Sequence, residues 1–127
     1  MSVARHLLGV RGESIAEEWL VMNGWSVLNR RFRSGHRDID LVVSQHQNGR
    51  SGRTVAFVEV KTRLSREFGG PLGAVHWRKQ RELARAAREW MGRFREAGDA
   101  YRFDVIGVTF AAGAAQVTHV ENAFLVR

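Results

Sequence analysis

The chain has 127 residues, enough for one domain with a hydrophobic core and too few for two. Twenty Lys and Arg residues against 13 Asp and Glu give a net charge of +7, which favours a polyanionic partner, although a generally basic composition would give the same surplus. The lack of cysteine excludes disulfides and thiolate metal sites, and the lack of an apolar run of about 18 residues excludes a membrane-spanning helix. The apolar stretch near the N-terminus is too short for a secretory signal, so we expect a single cytoplasmic domain over residues 1–127.

The predicted elements begin with a helix over residues 4–23, whose apolar side chains recur at helical spacing and which stops at Gly24. Strand-like segments follow, and the polar segment 45–53 between two of them contains an Asn-Gly pair typical of a hairpin loop. The five predicted strands cover residues 25–32, 37–44, 54–62, 102–110 and 116–120. A short turn, 111–115, joins the last two strands.

A second helix is predicted over residues 74–97, after a loop over 63–73 that holds two adjacent glycines and the single proline. Its predicted core face carries Leu83, Ala84, Ala87, Trp90, Met91 and Phe94, and its opposite face carries Arg78, Arg81, Arg85 and Arg88. The order of helices and strands predicts an α/β fold in which a sheet of about five strands is flanked by helices.

Side chains alternate across a strand, so the predicted hairpin can be divided into two faces. One face is wholly apolar and should pack on a helix; it holds Ile39, Leu41, Val43, Ala56, Val58 and Val60. The other face holds Asp38, Asp40, Val42, Phe57, Glu59, Lys61 and Arg63. A hairpin centred on residues 49 and 50 would place Asp40 opposite Glu59 and Asp38 opposite Lys61.

Two carboxylates directly opposite each other destabilise a sheet, and a divalent cation between them would reverse that effect. Hard cations such as Mg²⁺ take oxygen ligands, commonly one or two carboxylates together with water and substrate phosphate. The hairpin taken alone is equally compatible with a solvated face that carries cross-strand ion pairs. The pattern Glu-x-Lys is too short to decide between these two interpretations.

A wider set of motifs resembles a known family. The string FVEVKTR at 57–63, preceded by DIDLV at 38–42 and followed by a Lys79-Gln80 helix and by RFDV at 102–105, is similar to the YraN-type family of small uncharacterised bacterial proteins. That family is related to PD-(D/E)XK nucleases and especially to archaeal Holliday-junction resolvases. The resemblance covers most of the chain, from Gly12 and Glu13 to the segment 119–124.

The resemblance implies a restriction-endonuclease-like core and a metal-dependent nuclease site. In such a site Asp40, Glu59 and the Val60 carbonyl would bind Mg²⁺ or Mn²⁺, and Lys61 would position or activate the attacking water. Glu13 would reach the edge of the site from the first helix. The family usually has Gly-Glu-Ile-Asp where this chain has Arg37-Asp38-Ile39-Asp40, which leaves a separate role for residue 38 open.

The function that these residues predict is an endonuclease acting on DNA, with branched DNA as a candidate substrate. Contacts to nucleic acid are predicted for Arg63, Arg78, Lys79 and Gln80. The arginines of the second helix are interleaved with glutamates and could equally form a self-paired, solvated surface. The alternatives are a nucleic-acid-binding protein that keeps the fold without cutting, and a basic adaptor for an acidic protein. Cutting two strands of a junction would call for a homodimer.

The remaining polar and aromatic residues give weaker signals. Asp104 could complete the acidic cluster or pair with a buried Arg, and we favour a structural role. The five histidines show no metal-ligand spacing and are predicted to be surface or loop residues. Three of the four tryptophans are predicted to belong to the core rather than to stack on bases, and for Trp77, at the start of the second helix, both roles stay open.

Overall fold

The computed structural model describes residues 3–46, 49, 51–64 and 75–124. Two helices and five strands form in the predicted order. Their bounds are α1 Val3–Met22, β1 Ser26–Ser34, β2 Arg37–His46, β3 Arg53–Leu64, α2 Trp77–Phe94, β4 Ala100–Ala111 and β5 Ala114–Phe124. Most of the loop predicted over 63–73 lies outside the described residues.

The strands form one mixed sheet in the order β1-β2-β3-β4-β5. Strands β3 and β4 are parallel, and the other neighbouring pairs are antiparallel. The parallel pair requires a crossover, which α2 provides. This arrangement confirms the predicted α/β class, with a central sheet of five strands and flanking helices as in a restriction-endonuclease-like core.

Each face of the sheet is covered by one helix. Ala16 and Leu20 of α1 pack in one buried cluster with Leu41, Val43, Ala56, Val58, Ile106 and Val108. Leu83, Ala87 and Trp90 of α2 pack in a second cluster with Phe32, Ile39, Val42, Val55, Phe57 and Phe103. Since neighbouring residues of β3 alternate between the clusters, α1 and α2 lie on opposite faces of the sheet.

The helix ends differ in how well the sequence predicted them. Helix α1 ends as predicted at Gly24, where φ is +89° and the Trp25 N–H donates to the Leu20 carbonyl. Helix α2 ends at Phe94, earlier than predicted, because Arg95 is extended rather than helical. The last turn is also shorter than predicted: Ala112 and Gly113, both with positive φ, close a two-residue hairpin.

None of the helices in the described part of the chain is long and apolar enough to cross a membrane.

Candidate functional site

The predicted register of the central hairpin is confirmed. Leu41 lies opposite Val58 and Val43 opposite Ala56, as a hairpin centred on residues 49 and 50 requires. The paired ladder ends at Leu41 and Val58, so Asp40 is the first residue beyond it. There the Asp40 carboxylate turns toward β3 and accepts a hydrogen bond from the Val60 N–H at 2.7 Å.

The predicted faces of β2 are wrong for Ile39 and Asp40, which lie beyond the end of the paired ladder. Ile39 packs with Phe32 in the α2 cluster, whereas Leu41 packs in the α1 cluster, and Asp40 lines a cavity on the α1 side beside Leu41. The change coincides with an irregularity in the neighbouring strand, where Arg31, between the partners of Leu41 and Ile39, has a φ of +47° and the alternation of β1 breaks as well. Asp40 therefore projects toward α1 at the place where β2 leaves β3.

Asp40 and Glu59 nevertheless meet, as the sequence predicted. The Glu59 side chain is close enough for its charge and a hydrogen bond to act on the Asp40 carboxyl group. Burial, this hydrogen bond and the negative charge of Glu59 raise the pKa of Asp40 to about 8, against the lowering effect of the Val60 N–H. Asp38 adds to the negative charge around Asp40. At neutral pH the pair consequently holds a proton that a divalent cation could replace.

Glu13 reaches the same region because α1 approaches the end of β3 closely. A Cβ on Gly12 would overlap the Thr62 side chain, so only glycine allows this approach. The Glu13 carboxylate accepts from Arg31 Nε and Nη2 at 3.1 and 3.2 Å. Burial and the charge of Asp40 raise the pKa of Glu13, although the Arg31 guanidinium opposes this. The predicted place of Glu13, at the edge of the acidic pair, agrees with this geometry.

Two lysines stand next to Glu59. Lys79 Nζ, in the first turn of α2, lies 3.7 Å from Glu59 Oε2. Lys61 is close enough for the Glu59 charge to act on it, but burial and the positive charge of Arg63 lower the pKa of its ammonium group. The two lysines of the chain, against 18 arginines, are therefore both brought to the acidic pair.

The residues predicted to contact nucleic acid differ in their surroundings. Arg63 lies near the end of β3, beside Lys61. Lys79 faces Glu59, while Arg78 is exposed and lies over the Trp77 ring. The Gln80 side chain donates to the Val75 carbonyl at 2.8 Å, just before the helix, so its amide is used within the protein.

The donor set fits a hard cation that is only partly coordinated by protein. In the part of the chain that is described, no three His, Asp or Glu side chains converge closely enough to hold a metal ion. Asp40 and Glu59 supply two carboxylates in contact, which matches the way Mg²⁺ is commonly bound, with water and phosphate completing the octahedron. The chemistry of these oxygen ligands suits Mg²⁺ or Mn²⁺ and not a soft metal.

Arg30 and Arg31 are site residues that sequence reasoning missed. Together with Glu13, Glu17 and Asp40 they line a cavity of about 740 Å³ between α1 and the sheet. Arg30 forms two 2.7 Å hydrogen bonds to Glu17. Strict alternation would put adjacent arginines on opposite faces, so the sequence held no signal for this arrangement; the positive φ of Arg31 produces it.

A separate polar cluster surrounds Asp104, which is fully buried. Asp104 accepts from the Asn122 N–H at 2.9 Å and from Arg102 Nη2 at 3.1 Å, and lies 2.7 Å from His119 Nε2. The predicted surface position of His119 is wrong, since its side chain is only 7% exposed and packs edge-on against Trp19. Contacts of this kind tie β5 to β4 and agree with the structural role favoured for Asp104.

Comparison with known proteins identifies a family that this chain matches. The model of the uncharacterised protein family UPF0102 matches residues 12–108. The chain is 40% identical over 124 residues to a UPF0102 protein of Geobacter metallireducens, covering 98% of this chain and 97% of the relative. It is 39% identical over 125 residues to one of Chlorobium chlorochromatii, covering 94% and 92%. A relative from Bifidobacterium longum is 37% identical over 118 residues, covering 91% of each chain.

The matched segment begins at the glycine that brings α1 to β3 and includes Glu13, Asp40, Glu59 and Lys61. With matches of this extent, the chain belongs to the UPF0102 family, as the YraN-type resemblance of its motifs indicated.

Proposed function

We propose that this protein is a metal-dependent endonuclease of the PD-(D/E)XK type that hydrolyses phosphodiester bonds in DNA. The observation that carries the proposal is the contact between the carboxyl groups of Asp40 and Glu59 at the end of the β2–β3 ladder. A net charge of +7 supports a polyanionic substrate. Branched DNA is the substrate class that the resemblance suggests, and cutting it on two strands would need a homodimer.

Asp40 and Glu59 would hold Mg²⁺ or Mn²⁺, with the Val60 carbonyl as a candidate third ligand. The bound cation would lower the pKa of a water molecule and offset negative charge on the scissile phosphate. The Val60 N–H fixes the Asp40 carboxylate at 2.7 Å, so this ligand is oriented before any cation arrives. Before it can serve as a ligand, the Asp40 carboxyl must lose its proton.

Lys61 follows Glu59 by two residues, so both side chains leave the same face of β3. Its ammonium group can hold the attacking water or donate a hydrogen bond to the phosphate as negative charge develops there. Burial and Arg63 lower the pKa of Lys61, which makes its proton easier to transfer than that of an exposed lysine. Arg63, beside it, can contact an adjacent phosphate.

Cleavage of labelled linear, flapped and four-way DNA in Mg²⁺, in Mn²⁺ and in EDTA tests this proposal. We expect metal-dependent nicking by the wild type and a loss of at least about a hundredfold in Asp40→Asn and Glu59→Gln. Both variants should retain DNA binding, since each removes a negative charge. Glu96→Gln is the matched control, because Glu96 is an exposed carboxylate that contacts Arg53 at 3.5 Å outside the site.

Equal nicking by wild type and Asp40→Asn would contradict the proposal, because it would identify a contaminating nuclease. Failure of the wild type to cut any of these substrates in either metal would contradict it as well.

One observation favours a non-catalytic DNA-binding protein as the second candidate. Lys79 already places a positive charge 3.7 Å from Glu59, where it partly substitutes for a cation. If Lys79 replaces the metal permanently, Mg²⁺ should bind only after Lys79→Ala. If Lys79 is displaced in a working nuclease, Mg²⁺ should bind to the wild type and bind more tightly to the variant.

A further inference from the structure

The outer surface of α2 carries an aromatic group that the proposed cleavage chemistry does not use. Of the four tryptophans, Trp25 and Trp90 are buried and Trp19 is half-buried, whereas Trp77 is 54% exposed. Trp77 is the first residue of α2, on the same turn as Lys79. Single exposed apolar residues are common on proteins, so the groups around this indole decide whether it marks a binding site.

The immediate surroundings of Trp77 are basic. The guanidinium carbons of Arg78 and Arg81 lie 5.4 and 5.7 Å from its ring centroid, and the His76 ring stacks on the indole with the two centroids 5.9 Å apart. Together with Glu82 and Arg85 these residues line a shallow cleft of about 290 Å³. Three cations against a single carboxylate make the cleft attractive to an anion, and the indole supplies a flat apolar surface. An aromatic platform among arginines is the combination by which proteins bind nucleic acid strands through stacked bases.

The cleft is also next to the proposed cleavage site. Lys79, two residues after Trp77, contacts Glu59 across the end of the sheet. A DNA strand that runs from Glu59 to the Trp77 ring has to pass around the start of α2. The width of a helix is roughly 10 Å. That distance corresponds to a very few nucleotides, so one strand can occupy both places.

We propose that Trp77, flanked by Arg78 and Arg81, stacks on an unpaired base of the DNA strand whose backbone passes Glu59. The inference rests on the proposed function and adds to it the substrate class: DNA with single-stranded nucleotides near the cut, as in a flap, tail or opened branch point. A base in a continuous duplex is stacked on both sides and cannot lie on the ring. The base displaces the His76 ring or the two guanidinium groups from the indole, and the arginines move to the flanking phosphates, because base stacking on an aromatic is a stronger contact than an exposed cation–π contact.

Binding measured in EDTA tests this without any dependence on cleavage. The probes are a DNA hairpin with a ten-nucleotide single-stranded tail and the same hairpin with a blunt end. Trp77→Ala is expected to lose about five- to hundredfold in affinity for the tailed hairpin and little for the blunt one. Trp77→Phe should retain most of the affinity, since it keeps an aromatic face.

Intrinsic fluorescence gives a second readout. Stacking on Trp77 should quench the emission of the wild type when the tailed hairpin binds, and Trp77→Phe should bind with little quenching. Leu7→Ala is the matched control, because Leu7 is an apolar residue of α1 that is 59% exposed and lines neither the Trp77 cleft nor the cavity beside Asp40. Since both positions are on the surface, the thermal midpoints of the variants should match that of the wild type.

Two outcomes would overturn the inference: Trp77→Ala binding the tailed hairpin as tightly as the wild type does, or losing the same factor for both hairpins. An effect seen with a tailed RNA hairpin and absent with DNA would overturn the assignment to DNA. Cleavage of the same substrates in Mg²⁺ is scored separately. Tail-dependent binding without cleavage would contradict the proposed nuclease and leave the stacking site standing.

Discussion

Asp40 and Asp104 are two aspartates of the same sheet with opposite surroundings. Asp104 is fully buried and has Arg102, His119 and the Asn122 N–H as partners. Asp40 is half-buried, and apart from the Val60 N–H the groups that act on it are acids: Glu59, Asp38 and Glu13. Asp104 thus has positively charged or donor groups of its own, whereas the cations nearest the acidic pair, Lys79 and Arg31, contact Glu59 and Glu13 rather than Asp40.

This difference indicates that Asp104 stabilises the folded protein, whereas Asp40 destabilises it. Buried carboxylates are tolerated when hydrogen bonds and counter-charges satisfy them, as around Asp104. A carboxyl group buried beside other acids destabilises the fold once it loses its proton, and groups with such perturbed pKa values concentrate at functional sites. The acid whose environment is incomplete is therefore the better candidate for binding a cation.

The largest expected effect is a loss of stability when the Asp104 cluster is broken. Asp104→Ala leaves Arg102 and His119 without their buried partner, so we expect the free energy of unfolding to fall by about 3–5 kcal/mol. Urea denaturation at pH 7 measures this. Asp40→Asn should not destabilise the protein in the same experiment; a loss as large as that of Asp104→Ala would remove the distinction between the two clusters.

The second effect is the pH dependence of stability that Asp40 produces. The folded protein keeps the Asp40 proton up to about pH 8, whereas the unfolded chain releases it near its ordinary value of 3.8. The stabilisation from this proton is thus full below about pH 4 and is lost as the pH rises to about 8. Allowing for the solvent contact of a half-buried group, we expect a change on the order of 1–3 kcal/mol.

Asp40→Asn removes this titration. The difference in unfolding free energy between the wild type and Asp40→Asn, followed by urea denaturation from pH 4 to 8, should therefore shift in favour of the variant as the pH rises. A difference that stays constant over this range would show that Asp40 is an ordinary carboxylate in the folded protein.

A smaller effect tests how α1 is placed against the acidic pair. Gly12→Ala puts a Cβ into the Thr62 side chain, so it should destabilise the protein by about 1–3 kcal/mol and displace Glu13 from Asp40. Gly9→Ala, on the same helix, meets no atom within 4 Å and should stabilise by about 0.5–1 kcal/mol. Thermal denaturation of the two variants checks this, and equal shifts would exclude a specific packing role for Gly12.

Much of the fold, and the proximity of Asp40 to Glu59, could be predicted from the sequence because both depend on local patterns of residues. Alternating apolar residues and the Asn-Gly loop gave the hairpin register, which brought Asp40 to Glu59. The face of Ile39 was predicted wrongly because the alternation breaks where Arg31 takes a left-handed conformation, which no sequence pattern of a non-glycine residue signals. His119 was missed because its partner, Asp104, is 15 residues away on a neighbouring strand.

The exposed cavity between α1 and the sheet, with its paired arginines, depends on that same break in alternation and was likewise not predicted. Long-range contacts and backbone irregularities were thus the parts that the sequence left undetermined.

The most direct test of the account is calorimetric titration of the wild type with Mg²⁺ or Mn²⁺ at pH 7, repeated in buffers of different ionisation enthalpy. Because the pair holds a proton that a cation must displace, we predict binding with release of about one proton per ion, and no binding by Asp40→Asn or Glu59→Gln. Glu96→Gln should bind as the wild type does. Binding that persists in Asp40→Asn, or that releases no proton, would contradict the account.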